Sequence, residues 1–276
     1  MSEATAEERT DLLAFDVGGA NIKAADGLGW THAEAFPLWQ RPAWLAAALG
    51  RFVASRRPGR IVATMTGEIA DCFPSRAVGV ARIIDALEAA AARMTPPTDL
   101  GIYLVDGSIV PAAEARARPL AVAAANWHAM ARLAAVHATA ARAFVVDVGS
   151  TTTDIVPVDH GLPAPRACDD VGRMAAGELV YTGIERTPVA ASVRSLPWPS
   201  AGPGRRPIAS ERYADSRDVW LLLGGIPEAP QDHDTADGLP ATRAAASLRL
   251  ARMLLADPED FCAADALAAA EWCARA

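Results

Sequence analysis

The chain has 276 residues, a net charge of −7 at pH 7 and 51% hydrophobic residues. This hydrophobic content excludes a disordered chain, and an acidic balance without a basic stripe argues against a general nucleic-acid binder. The four cysteines form no CxxC pair, so neither a zinc ribbon nor a disulfide framework is expected.

The first eleven residues are polar and acidic, without the basic start and apolar stretch of a secretory signal. The Ala-rich stretches are interrupted by Arg and His and predict no membrane span. We therefore expect a soluble, cytoplasmic protein with no membrane partner.

Hydrophobic spacing predicts helices and strands that alternate along the first half. In chain order they are strands at 12–17, 22–25 and 31–38, a helix at 42–57, a strand at 61–66, a helix at 75–94, a strand at 101–105 and a helix at 120–142.

The second half begins again with strands. The predicted elements are strands at 144–146 and 155–158, a turn at 159–161, a looser segment to 187, a mobile loop at 197–208, a short apolar segment at 215–223 and closing helices at 240–256 and 258–275. A strand-rich start that occurs twice predicts an α/β protein of two related halves, 11–141 and 142–276.

Two glycine-bearing segments repeat one design: 16–23 has the sequence DVGGANIK and 147–154 has the sequence DVGSTTTD. Each follows an apolar run that predicts a buried strand. Glycines after such a strand predict a tight hairpin whose backbone N–H groups can approach an anion. Two facing hairpins suit a phosphate chain with a metal ion between them. The candidate phosphate-binding residues are Gly18, Gly19, Asn21, Gly149, Ser150, Thr151 and Thr152.

Charged residues begin and end both segments. Mg²⁺ keeps several waters and uses few carboxylates besides substrate oxygens, so Asp16 and Asp147 are its predicted ligands. Lys23, the only lysine, and Asp154 stand seven residues after these aspartates. Lys23 would either neutralise charge on a departing phosphate or form a salt bridge with Asp154, and both interpretations stay open.

This arrangement resembles the actin-like, sugar-kinase and Hsp70 ATPase superfamily, and within it the hydantoinase/oxoprolinase branch. The segments 66–73, 125–129, 147–154 and 177–188 also resemble a narrower family tied to tetrahydromethanopterin-linked one-carbon metabolism. The resemblance implies two ribonuclease-H-like halves with a central cleft, the second short at its C-terminus. The adenosine-binding turn of the superfamily has no counterpart before Ala276, so the preferred interpretation does not require ATP.

Members of the narrower family are associated with making the methanofuran-type carrier cofactor. The resemblance implies a transferase that joins an aminomethylfuran-methyl diphosphate to the phenol of glutamyl-tyramine and releases pyrophosphate. Its partners would be these two small molecules, with no nucleic acid, and a homodimer is left open.

The phenol has to lose a proton in this reaction. Asp154 is the first candidate base by its place in the motif, with Glu68 and Asp71 as candidates from the first half. Asp71, His128 and Arg186 are candidate substrate-binding residues. His128 lies in a predicted Ala-rich helix, where a core histidine is the commoner outcome.

Two other functions stay open. One is an ATP-dependent small-molecule kinase or hydantoinase-like hydrolase, which needs an adenosine pocket. The other is a non-catalytic, ATPase-like assembly subunit, which would have no need of the three motif aspartates.

Overall fold

The computed structural model describes residues 10–276, so most of the N-terminal segment without a secretory pattern lies outside the described residues. Strands and helices alternate in the described chain, which confirms the α/β class. The chain divides into two compact units, one comprising residues up to 145 and 156–178, the other 146–155 and 179–276. The predicted halves, 11–141 and 142–276, are defined by a repeated pattern of strands, whereas the two units are defined by how compactly the chain packs. The division into halves therefore stays a prediction.

The first unit is built on a sheet whose strands are β1 (Leu12–Val17), β2 (Asn21–Ala25), β3 (Thr31–Ala35), β4 (Arg60–Met65), β5 (Asp99–Tyr103) and β6 (Ile109–Pro111). Their order is β3-β2-β1-β4-β5-β6. The first three strands form an antiparallel meander, and β4 and β5 continue the sheet parallel to β1.

Parallel strands need a crossover connection, which here is helical. Five α-helices in the described part of this unit come before residue 142: α1 (Leu45–Arg56), α2 (Arg76–Ala91), α3 (Ala112–Ala117), α4 (Pro119–Val122) and α5 (Asn126–Ala135). α1 connects β3 to β4 and α2 connects β4 to β5, as the hydrophobic spacing predicts.

Alternation along β1 decides where its acidic residue points. Leu13, Phe15 and Val17 are buried, and Phe15 packs edge-to-face against Phe52 of α1 with ring centroids 5.9 Å apart. Successive side chains of a strand point to opposite faces, so Asp16 lies on the other face of the sheet.

The single helix predicted at 120–142 is wrong. α4 ends at Val122, Ala124 has a left-handed backbone with φ of +50°, and α5 covers only Asn126–Ala135. A left-handed residue interrupts the helical hydrogen-bond ladder, and a run of alanines gives no hydrophobic pattern that would mark the interruption.

The remaining elements are β7 (Arg142–Val148), β8 (Thr153–Asp159), β9 (Leu162–Pro163), α6 (Asp170–Ala176), β10 (Leu179–Val180), α7 (Val189–Ser192), β11 (Ser195–Pro197), β12 (Arg205–Pro207), α8 (Ser216–Leu223), α9 (Arg243–Met253) and α10 (Ala263–Arg275). The boundary between the two units falls within β7 and β8. Among the described helices, none has the length and apolarity that a membrane crossing requires.

Three further sequence-based expectations are corrected. The strand predicted at 144–146 exists as part of β7, but it is not buried, since Phe144 is 70% and Val146 58% exposed. β7 is an end strand in the order β10-β8-β7, and among residues 10–276 no strand pairs with its other edge. Residues 197–208 are not one continuous loop, because they include the last residue of β11 and all of β12, which pair with each other. The looser segment up to 187 contains α6.

The core of the second unit lies among α8, α9 and α10, where Val219, Leu250 and Ala269 are buried. α8 begins with a capping box formed by Asp215 and Asp218, a signal that sequence reasoning missed.

Candidate functional site

The first hairpin joins β1 to β2 and places its two charged residues side by side. Asp16 stands opposite Lys23 in the antiparallel register. The Gly18 N–H donates a 2.9 Å hydrogen bond to the Asn21 carbonyl and so closes the turn. That N–H group is therefore not available to a phosphate, contrary to the expectation from the motif.

The backbone N–H groups of this hairpin that remain available to an anion belong to the two residues after Gly18. The N–H groups of Gly19 and Ala20 donate no hydrogen bond to any described residue. A Cβ built on Gly19 meets no atom within 4 Å, so this corner of the turn is open. An anion can approach these two N–H groups. The motif alone did not indicate Ala20, because its side chain has no polar group.

The second hairpin, between β7 and β8, closes in the same way. The Gly149 N–H donates a 2.8 Å hydrogen bond to the Thr152 carbonyl, while those of Ser150 and Thr151 have no acceptor among the described residues. The two closing bonds therefore fall at equivalent positions of the two motifs. This equivalence supports the interpretation of the motifs as one repeated design.

A segment after β10 supports the second hairpin from its carbonyl side. The Gly149 carbonyl accepts a hydrogen bond from Ile184, and the Ser150 carbonyl accepts two, from Glu185 and Arg186, at 2.9 to 3.0 Å. All three donors belong to the stretch 177–188 that the sequence singled out. With its carbonyls bonded there, the turn keeps the N–H groups of residues 150 and 151 available.

Gly183 is the residue that allows this close approach. A Cβ at Gly183 would lie 2.6 Å from the carbonyl carbon and oxygen of Ser150 and from the Thr151 nitrogen. These are backbone atoms, which cannot rotate away as a flexible side chain can.

We predict that Gly183→Ala lowers the free energy of unfolding by about 1–3 kcal/mol, the usual cost of inserting atoms into a packed site. Urea unfolding of the purified protein measures it. Gly19→Ala is the matched control, because its new methyl group meets no atom, and we expect a change within about 0.5 kcal/mol. Equal stabilities of the two variants would contradict the supporting role of residues 183–186.

Asp16 has the electrostatics of a ligand-binding carboxylate. Its Oδ2 lies 3.5 Å from the Lys23 Nζ, and its Oδ1 is buried with no hydrogen-bond partner among the described residues. Burial raises the pKa of Asp16, and the neighbouring Lys23 charge partly offsets that shift. A buried acceptor without a donor is costly, which is typical of a site completed by a ligand.

The unpartnered carboxylate oxygen of Asp16 is of a type that binds Mg²⁺. No group of three or more His, Cys, Asp or Glu side chains within 10–276 could hold a metal on its own. Mg²⁺ is commonly bound by one or two carboxylates together with waters and phosphate oxygens. The unsatisfied Asp16 oxygen suits such a site, and Asp147 is exposed at the equivalent position of the second hairpin.

Glu68 lies in a 3₁₀ turn, Gly67–Ile69, directly after β4. It is 1% exposed, and neither carboxylate oxygen has a hydrogen-bond partner in the described chain. Burial raises its pKa to about 7; Asp170 adds to the increase and Arg76 opposes it. A carboxyl group that titrates near neutral pH is suited to proton transfer.

The backbone of this turn is fixed on two sides. A Cβ at Gly67 would lie 3.1 Å from the Gly18 carbonyl oxygen, and a Cβ at Gly79 of α2 would overlap the Glu68 carbonyl. The Glu68 turn therefore packs between α2 and the first hairpin. Gly67 belongs to the segment 66–73 that carries the resemblance, but neither glycine's contact could be predicted from the sequence, because both contacts depend on the tertiary fold.

The other candidates lie in different surroundings. Buried His128 shares a 2.9 Å hydrogen bond with the Tyr103 hydroxyl, and burial lowers its pKa, as for a neutral core histidine. Exposed Arg186 forms an ion pair with Asp234, and Asp71 is exposed. Their substrate-binding roles stay predictions. Asp154 pairs through β8 with Leu179 of β10, beside the second hairpin.

Comparison with known proteins adds two findings. The hydantoinase/oxoprolinase family model matches residues 60–266. Two curated proteins named "(4-{4-[2-(gamma-L-glutamylamino)ethyl]phenoxymethyl}furan-2-yl)methanamine synthase" are similar to the chain. The protein from Methanocaldococcus jannaschii is 32% identical over 252 residues, covering 90% of this chain and 72% of the relative. The protein from Methanococcus vannielii is 34% identical over 113 residues, covering 41% of this chain and 49% of that relative.

Proposed function

This chain belongs to the hydantoinase/oxoprolinase family, and from that membership we propose that it is a transferase of methanofuran-type cofactor biosynthesis. The observation that carries the proposal is the 32% identity to a named synthase over 90% of the chain. That synthase is named for a product in which a phenoxymethyl group connects a furan to a glutamylated aminoethyl phenol. The proposed reaction forms this ether.

The proposed reaction balances without a redox partner. The phenol oxygen of glutamyl-tyramine forms a bond to the methylene carbon of an aminomethylfuran-methyl diphosphate. The bond from that carbon to the diphosphate oxygen breaks, pyrophosphate leaves, and the phenol proton passes to a base. The furan ring stabilises positive charge on the methylene carbon, so C–O cleavage can run ahead of attack. ATP takes no part.

Each hairpin is proposed to bind phosphate oxygens through the N–H groups that its closing bond leaves available. In the first hairpin these belong to Gly19 and Ala20, beside Asn21. In the second they belong to Ser150 and Thr151, assisted by the hydroxyls of Thr151 and Thr152.

Charge on the departing pyrophosphate is proposed to be neutralised by Lys23, whose side chain is 63% exposed beside Asp16. Asp16 and Asp147 are the proposed carboxylates for Mg²⁺, which when bound would screen the phosphate charge. Two residues are proposed as alternative acceptors of the phenol proton: Asp154, by its place in the motif, or Glu68, by its pKa near 7.

The finer fold prediction, two related ribonuclease-H-like halves with a central cleft, is also a proposal. It is supported by the strand order of the first sheet and by the equivalent closing bonds of the two hairpins.

A pyrophosphate-release assay tests the function. With Mg²⁺ present, release should require both the furan diphosphate and glutamyl-tyramine. Pyrophosphate release that does not depend on glutamyl-tyramine would indicate a hydrolase, which is the alternative within the same superfamily.

Asp16→Asn tests the proposed magnesium role. We predict a loss of turnover of about 10²–10³-fold, the scale on which charge-stabilising groups contribute. Stability should be unchanged or higher, because the substitution removes a buried carboxylate with an unpartnered oxygen. Asp99→Asn, at an exposed aspartate of β5, is the control and should leave turnover unchanged. Full activity of Asp16→Asn would remove this residue from the site.

A further inference from the structure

The second unit contains a cavity of about 440 Å³ beside the second hairpin. Its lining includes Val148 and Thr153, the residues that immediately precede and follow the turn 149–152. The volume is in the range of small-molecule sites. None of the predicted site residues lines this cavity.

The chemistry of the walls selects the occupant. Ile184, Val189, Val219 and the Trp220 ring supply apolar surface, and of the described residues that line the cavity none is Asp, Glu, Lys, Arg or His. A phosphate would lose its hydration here without gaining a cationic side chain as a partner. A neutral, flat ring gains apolar contact instead.

Three of the six hydroxyl groups among the lining residues are already hydrogen-bonded within the protein. Thr153 Oγ1 donates to the Thr182 carbonyl and Ser216 Oγ donates to the Gly183 carbonyl, each at 2.7 Å. Thr187 Oγ1 accepts a hydrogen bond from the Gly183 N–H at 2.8 Å. These bonds hold three hydroxyl groups in place, and the walls combine apolar surface with neutral hydroxyl groups.

We propose that this cavity binds the phenyl ring of the acceptor; the inference rests on the proposed transferase function and gives it an acceptor site. A ring placed here has one edge toward the second hairpin, where the diphosphate is proposed to bind. The phenol oxygen then lies on the side of the turn where the new C–O bond has to form. The charged glutamyl end extends out of the cavity.

Ala191→Phe is the variant that tests this site. Ala191 lines the cavity but is exposed, so a phenylalanine there occupies the entrance without entering the packed core. Ala201→Phe is the matched control, since Ala201 is also exposed, lies in the same unit and does not line the cavity. Thermal unfolding verifies that both variants are folded.

Isothermal titration calorimetry then measures the binding of glutamyl-tyramine, pyrophosphate and ATP to each protein. We expect Ala191→Phe to weaken glutamyl-tyramine binding at least about 10-fold, which corresponds to about 1.4 kcal/mol. Pyrophosphate binding should not change, and Ala201→Phe should match the wild type. In steady-state assays the KM for the phenol should rise while that for the diphosphate stays constant.

The outcomes distinguish a failure of the cavity assignment from a failure of the transferase proposal. If the wild type binds glutamyl-tyramine and Ala191→Phe binds it equally well, the cavity assignment is overturned and the transferase proposal stands. If the wild type does not bind glutamyl-tyramine, the transferase proposal itself fails. If ATP binds and the variant loses it, the cavity holds an adenine ring and the inference is overturned. Should Ala191→Phe not fold, Trp220→Leu replaces it, with loss of the stacking surface and the same expected shift in KM.

Discussion

Lys23→Met is expected to abolish turnover and leave the fold intact. The Lys23 side chain is 63% exposed, and its ammonium group lies 3.5 Å from Asp16, so its removal costs the fold little. If this cation neutralises charge on the departing pyrophosphate, its loss should lower kcat by about 10³-fold. A large loss of activity without loss of stability separates a catalytic role from a structural salt bridge.

Two controls make the result decisive. Lys23→Arg keeps the positive charge, so it should recover part of the lost activity. Thermal unfolding of Lys23→Met should coincide with that of the wild type. Near-normal turnover of Lys23→Met would remove Lys23 from the mechanism, and a strong loss of stability would assign it to the fold.

Glu68→Gln is expected to remove a pH dependence of stability that the wild type has. Below its ordinary pKa of 4.5, Glu68 is protonated in both the folded and the unfolded protein and contributes no pH dependence. Between 4.5 and about 7 the folded protein retains the proton that the unfolded chain has released. Over this window the wild type loses stability as the pH rises, by about 1.4 kcal/mol per unit and about 3 kcal/mol in all.

Urea unfolding from about pH 4 to about pH 8 measures this effect. The difference in stability between Glu68→Gln and the wild type should grow in favour of the variant across this range and then level off. Glu114→Gln, at an exposed glutamate of α3, should follow the wild type at every pH. Parallel curves for Glu68→Gln and the wild type would contradict the raised pKa.

The same variant also tests proton transfer. A glutamine cannot accept the phenol proton, so turnover should fall by about 10²-fold or more if Glu68 is the base. Unchanged turnover would leave Asp154 as the proposed base. A folded protein that is more stable and less active than the wild type is the expected mark of a strained functional residue.

The sequence predicted the first unit well, because its hydrophobic pattern agrees with its local propensities. β1, α1, β4 and α2 all occur close to their predicted bounds. The helix at 120–142 failed because Ala124 takes a left-handed conformation in a stretch of alanines, where nothing marks the break.

For the candidate site, the sequence located the hairpins but not their supports. The motif aspartates and glycines were visible because their spacing repeats. The segment 177–188 was singled out by the resemblance, but the roles of Gly183 and Gly79 were not, because they come from backbone atoms that only the folded chain brings near. The state of Glu68 was equally hidden, since burial rather than its neighbours in sequence raises its pKa.

A mass-spectrometric assay of the two proposed substrates with Mg²⁺, with and without ATP, tests the transferase function directly. We predict the coupled furan–phenol ether and pyrophosphate in both arms, with no dependence on ATP. Absence of the ether, together with ADP in the arm that contains ATP, would contradict the transferase and place the protein among the kinases or hydrolases.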